Sequence, residues 1–351
     1  EVGEPMRSAA PMYARVIALD PGNVSARVHL ARLEARAGRR AAFDALVGWL
    51  ERRAPEESSL PELRYLALAL DGDSARLDSA ARALGRATAP QDMGGQNALA
   101  VRAWRAALFT GRPDAGLALW RVLDAPGRPA EVRLLARLGR AHAEAGRGRW
   151  GAADSALAAA AALDAAAADE VRAGLAAFAG APAGWDAGPL GRGAPARPAG
   201  AFAAGVEQPT FRAALALRPA LEPFLRGVLA ARAGRMDDAR ARLAAVRRAA
   251  PGLPAEYQAA GAALGEELAA AVALAGGDAA EAVRAGARGW AASPRMPSLF
   301  AYPLPARLLG RAEWARAAGD RAGARRWCDA AEVDVGLGDG LAPRIGGCRG
   351  G

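Results

Sequence analysis

Arginine is the residue type with the most chemistry to offer in this chain. No lysine occurs, so all 46 basic side chains are arginines, each a planar fork of donors that matches a carboxylate. Side chains that make and break bonds are scarce. The two histidines, His29 and His142, have no serine, cysteine or carboxylate at a spacing that would form a triad or a metal pair. Both are expected to be packed or surface histidines. Cys328 and Cys348 lack the CxxC spacing and histidine neighbours of a metal site. Cys328 falls within a helical pattern and reads as a buried free thiol, whereas the pairing of Cys348, in GGCRGG, stays open. A Walker-type phosphate loop is absent and would lack its lysine. GRGRWG at 146–151 has fingerprint-like glycines but follows a helical pattern instead of a strand. Asp237 and Asp238 open a helix, where they complement its dipole. Asn23-Val24-Ser25 fits a glycosylation sequon and equally a turn and helix cap. No catalytic residue, cofactor or metal site follows from these positions.

Composition points to helices. Hydrophobic residues make up 52% and aromatics only 5%, and alanine, the best helix former, supplies much of the difference. The net charge of +9 is not gathered into a basic block with interleaved aromatics, so nucleic acid is disfavoured as a partner. Ala, Arg, Gly and Pro share GC-rich codons, which accounts for the arginine bias more simply. The longest alanine-rich run, 152–168, is broken by Asp154 and Asp164, so no membrane span is expected. The chain opens on Glu1, which suggests a fragment or processed product. A cytoplasmic location is favoured, with export left open.

The elements that must position the arginines are read from punctuation. In residues 224–251 Leu225, Val228 and Leu229 share one helical face, Ala233-Gly234-Arg235 breaks the helix, and Met236, Ala239, Leu243 and Val246 resume it until Pro251. Gly38 is followed by Pro55, and Gly277 by Pro294, at the same separation as Gly234 and Pro251. Further turns are expected at Gly72, Gly111, Gly146 and Gly319. A second helix ending in Leu-Asp-Pro-Gly-Asn at 19–23 resembles the close of a tetratricopeptide repeat, a helix-turn-helix unit of about 34 residues. Leu138, Gly139, Ala153, Leu157 and Leu163 match that family around Gly146, where two extra residues within 147–149 imply a lengthened turn before Trp150.

The resemblance covers nearly all of the chain. It implies an all-α fold, a TPR-like right-handed superhelical solenoid of about seven or eight antiparallel helix pairs. The expected division is an N-terminal array at 1–179 with an incomplete first repeat, a Pro/Gly-rich linker or loop at 180–209 in which Trp185 anchors back onto a helix, a second array at 210–338, and a flexible tail at 339–351. Residues 295–307, with three prolines, are expected to be another break. In proteins of this kind first helices line a concave groove for a peptide or partner helix. Carrying that phase over places Arg32 and Arg36, then Arg105, Phe109 and Arg140, then Phe224, Val228 and Arg232, and last Arg316, toward the groove. The expected partner is a protein or acidic peptide. The expected function is a non-enzymatic interaction scaffold, part of a larger bacterial regulator. The alternatives are a self-associating structural repeat protein of an exported or cell-surface assembly, and an enzyme with its site in the interrupted region.

Overall fold

The computed structural model describes residues 6–192, 194, 197, 209–294, 296–297, 299–334 and 339–348. Among them the fold is all-helical, with no strand. A lone helix, α1 (Met6–Leu19), precedes the pairs α2 and α3 (Val24–Arg36, Arg40–Arg53), α4 and α5 (Leu60–Asp71, Ser74–Ala87), α6 and α7 (Met93–Thr110, Pro113–Leu123), and α8 and α9 (Ala130–Gly146, Trp150–Ala161). Then come α10 (Ala165–Phe178), a single turn α11 (Gly188–Gly191), the pairs α12 and α13 (Pro209–Arg232, Met236–Ala249), α14 and α15 (Ala255–Ala275, Ala279–Ala292) and α16 and α17 (Leu304–Ala317, Arg321–Ala330), and a last short helix α18 (Ala342–Cys348).

The pairs form because a left-handed glycine breaks the helix at each turn, helped at three of them by an acid, Asp73, Asp278 or Asp320, that caps the second helix. Gly38, Gly234 and Gly277 sit at φ of +68°, +71° and +87°, a left-handed conformation that a side chain strains. Asp278 and Asp320 cap the next helices, accepting from the Glu281 and Gly323 amides at 2.8 Å each. Asn23 does the same for α2, accepting from the Ala26 amide at 2.9 Å. The turn after α8 corrects one expectation. Its left-handed residue is Gly148, not Gly146, and α9 starts two residues later, as α3 does after Gly38. The extra residues lengthen the helix, not the turn.

The first helices of the pairs pack in succession, α2 on α4, α4 on α6 and α6 on α8, then through the unpaired α10 to α12, α14 and α16. One core runs through them, from Phe43 and Leu66 past Trp120 and Leu138 to Leu225 and Leu264. Helix α12 is continuous across Pro219 and Pro223.

Three further segments depart from a plain stack. The proline-rich break after α15 enters the protein interior: Leu299, Phe300, Ala301 and Tyr302 are all buried. Phe300 lies 6.0 Å from Trp104, 5.7 Å from His142 and 6.3 Å from Phe211, ring to ring. Gly174 makes room for it, since a Cβ there would stand 2.1 Å from the Ala301 carbonyl oxygen. Within the expected linker, residues 180–192 fold back, with Trp185 5.0 Å from Trp150 and Leu190 buried; positions 193, 195–196 and 198–208 lie outside the described residues. The expected flexible tail is in fact structured over 339–348, because Leu341 and Ile345 find a place in the core. Cys328 is not a free thiol: it forms a disulfide with Cys348, their Cα atoms 5.7 Å apart.

Candidate binding site

The four groove arginines expected in the N-terminal half are held by acceptors of the chain itself. Arg32 is buried and bidentate to Glu62, at 2.7 and 3.1 Å, and Arg105 reaches the same carboxylate at 3.0 Å. Arg140 donates to Asp124 at 2.9 Å, sharing it with Arg137 at 2.7 Å. Arg36 donates to the Leu108 carbonyl at 2.8 Å. Phe109 is half-buried against the core. Arg316, near the other end, donates to the Cys348 carbonyl at 2.9 Å. These six residues cross-link helices and do not share one cavity.

The other three converge. Phe224, Val228 and Arg232 recur every fourth residue of α12, hence on one face, and line a pocket of about 470 Å³. Its other walls are Phe178 at the end of α10, Ala271 and Leu274 on α14, Glu313 and Trp314 on α16, Tyr302 from the buried break, and Arg344 on α18. The aromatic side is continuous: Tyr302 lies 4.7 Å from Phe224 and 4.8 Å from Phe178, ring to ring.

Charge is unevenly divided there. Arg344 pairs with Glu313 and donates to the Phe178 carbonyl. Arg232 is half-exposed, 5.8 Å over the Phe178 ring and 3.9 Å from Glu313, beyond hydrogen-bonding distance. At the base of the pocket Glu267 is almost fully buried; it accepts from Arg307 at 2.7 and 2.9 Å, from Arg311 at 3.0 Å and from the Tyr302 hydroxyl at 2.7 Å. Arg311 lies among Trp290, Trp314 and Trp327, at 4.8, 5.7 and 5.8 Å from their rings. Arg232 and Arg344 thus line the pocket with Glu313 and Glu267, and Arg307 and Arg311, buried behind the lining, give the whole cluster an excess of two positive charges.

The surroundings shift these groups in ways that follow from burial. Desolvation would push the Glu267 carboxyl up, but Arg307, Arg311 and the Tyr302 hydroxyl outweigh it and hold the group below the usual carboxylate range. Burial raises the Tyr302 hydroxyl, and Glu267 adds to that. Desolvation lowers Arg232. It also lowers Arg344, to about 10, with the neighbouring Arg232 charge contributing.

Neither histidine shares this pocket. His29 stacks on Tyr13 at 5.1 Å. His142 is buried with Nε2 2.9 Å from the Phe300 carbonyl oxygen; a carbonyl only accepts, so Nε2 carries the hydrogen. A second depression, of about 460 Å³ beside Arg82, Arg86, Arg121 and Arg128, has no aromatic wall. Among the described residues no group of histidine, cysteine, aspartate and glutamate side chains is arranged to hold a metal ion, and no helix is long and apolar enough to cross a membrane. The helical phase brought Phe224, Val228 and Arg232 together. It could not supply Phe178, Tyr302, Glu313, Trp314 or Arg344, whose approach depends on the break and on α18. No protein-family model matches the chain, and no curated protein or solved structure does either.

Proposed function

We propose that this protein is a non-enzymatic binding module of the tetratricopeptide-repeat type, which takes an acidic peptide segment of a partner protein against its first helices at the pocket of Phe224, Val228 and Arg232. The observation that carries the reading is a wall of aromatic rings beside Arg232, whose guanidinium lies 3.9 Å from one carboxylate and is bonded to none among the described residues, with two further arginines buried behind the lining. Such a site suits a carboxylate next to a large apolar side chain: the guanidinium gives a charge-assisted hydrogen bond and the rings take up the apolar group. The tetratricopeptide reading is supported by the recurring glycine turn and by first helices that stack in succession.

The test uses a fluorescein-labelled octapeptide of alternating glutamate and phenylalanine, followed by anisotropy. Saturable binding is expected, weakened tenfold or more by Arg232→Glu and falling with salt, while a lysine and phenylalanine octapeptide does not bind. Equal binding of both peptides, or an unchanged affinity in Arg232→Glu, would rule the site out.

One observation favours a second reading, self-association. Met12, Val16 and Leu19 on α1 are 64%, 39% and 78% exposed and form an apolar stripe. Light scattering that gives a dimer or larger species, dispersed by Leu19→Glu, would favour it; a monomer at micromolar concentration would end it.

A further inference from the structure

The wall that carries Arg344 is built differently from the others. Helix α18 has seven residues, too few to be stable alone. Leu341 and Ile345 are its only buried apolar anchors among the described residues from 339 onward. Its far end is fixed covalently, by the bond from Cys348 to Cys328 on α17, and Arg316 holds the Cys348 carbonyl. Cys328 is buried, whereas Cys348 is partly open to solvent.

Arg344 also decides what its neighbour can do. Among the described residues Glu313 is the one carboxylate within 4.0 Å of both wall arginines: Arg344 pairs with it, and Arg232 stops 3.9 Å away. While Arg344 holds Glu313, the Arg232 guanidinium keeps its donors for a ligand. Without Arg344, a small side-chain rotation brings Glu313 onto Arg232, which takes up the guanidinium donors and cancels the positive charge at the pocket mouth.

We propose that the Cys328–Cys348 disulfide is a redox latch on this pocket, so that the oxidised protein binds an acidic, aromatic peptide and the reduced protein releases it. The inference rests on the anion-binding reading above. The reductant is a dithiol. One of its thiolates attacks the sulfur of Cys348, the less buried of the two residues, and forms a mixed disulfide, and Cys328 leaves as a thiolate that takes up a proton. The second thiol then closes the reagent's own disulfide and frees the Cys348 thiol. Two electrons pass from the dithiol to the protein, and α18 is left with only its noncovalent contacts.

The experiment measures anisotropy of the glutamate and phenylalanine octapeptide with the full chain, before and after dithiothreitol, with far-UV circular dichroism to show that the helices persist. Reduction is expected to weaken binding at least tenfold. Cys348→Ser should bind as weakly as the reduced protein and ignore dithiothreitol. Glu313→Gln should recover most of the affinity under reduction, because a neutral amide cannot neutralise Arg232. Trypsin provides a readout without ligand: mass spectrometry should find cleavage after Arg344 in the reduced protein and none in the oxidised one. Equal affinity in the two redox states overturns the latch while the pocket reading stands, whether or not trypsin cuts after Arg344. Absence of binding in the oxidised protein overturns both.

Discussion

His142 is buried, and among the described residues its only polar contact is one backbone carbonyl. Desolvation drives its imidazole down to about 4, against a weaker opposing pull from the Phe300 carbonyl. The unfolded chain, with an ordinary histidine near 6.5, therefore binds more protons between about pH 6.5 and 4. Stability from this group is fully present above 6.5 and falls as the pH drops toward 4, by about 3 kcal/mol in all. Urea midpoints measured across that range should decline with acid, and a His142→Gln variant should lose most of the slope. Glu267 makes the opposite case, a charge kept charged. Glu267→Gln would leave Arg307 and Arg311 buried against a neutral amide, at a cost of about 3 to 5 kcal/mol; Tyr302→Phe, which removes a single hydrogen bond to that carboxylate, should cost about 1 to 3 kcal/mol. Equal costs in chemical denaturation would contradict this account of the network. At this scale the sequence is a poor guide to which arginine is available. Arg32 and Arg232 share helical phase and type, yet Glu62 arrives 30 residues after Arg32 to neutralise it, while the carboxylate near Arg232 is taken by a third residue.

Helices and turns were legible, since each is governed by neighbours in the chain. The glycine and proline spacing located α2 and α3, α12 and α13, and α14 and α15, and the left-handed glycines lie where that spacing demands. Destinations were less legible. The prolines at 294–305 announce a break, but its burial depends on surfaces of α6, α8, α10 and α12 that no local pattern encodes. Two glycines separate these kinds of constraint. A methyl group added at Gly234 would have nothing within 4 Å of it, so Gly234→Ala meets only backbone strain, about 1 to 2 kcal/mol. Gly174→Ala has ordinary helical geometry but thrusts a methyl into the Ala301 carbonyl, and should cost more, about 2 to 3 kcal/mol. It should also weaken octapeptide binding, because Tyr302 moves with Ala301. If Gly174→Ala were the milder change in stability, the close packing of the break against α10 would be wrong.

A stack in which each unit touches only its neighbours loses structure piecemeal. This molecule has a clasp as well: residues 299–302 touch α6 and α8 on one side and α12 on the other, with His142 and Phe300 separated by 158 positions. Urea unfolding followed by far-UV circular dichroism and by tryptophan fluorescence should therefore give one coincident transition. Phe300→Ala, a large-to-small change costing about 3 to 5 kcal/mol, should split it into two. The same clasp imposes an order of events during synthesis. Helices α6 to α10 are complete by Phe178, yet the Phe300 ring that covers Trp104 and His142 belongs to a segment made more than a hundred residues later. At about 5 to 20 residues per second the nascent N-terminal half waits on the order of 6 to 25 s with that apolar surface open. During that interval it is a client for whatever shields nascent chains.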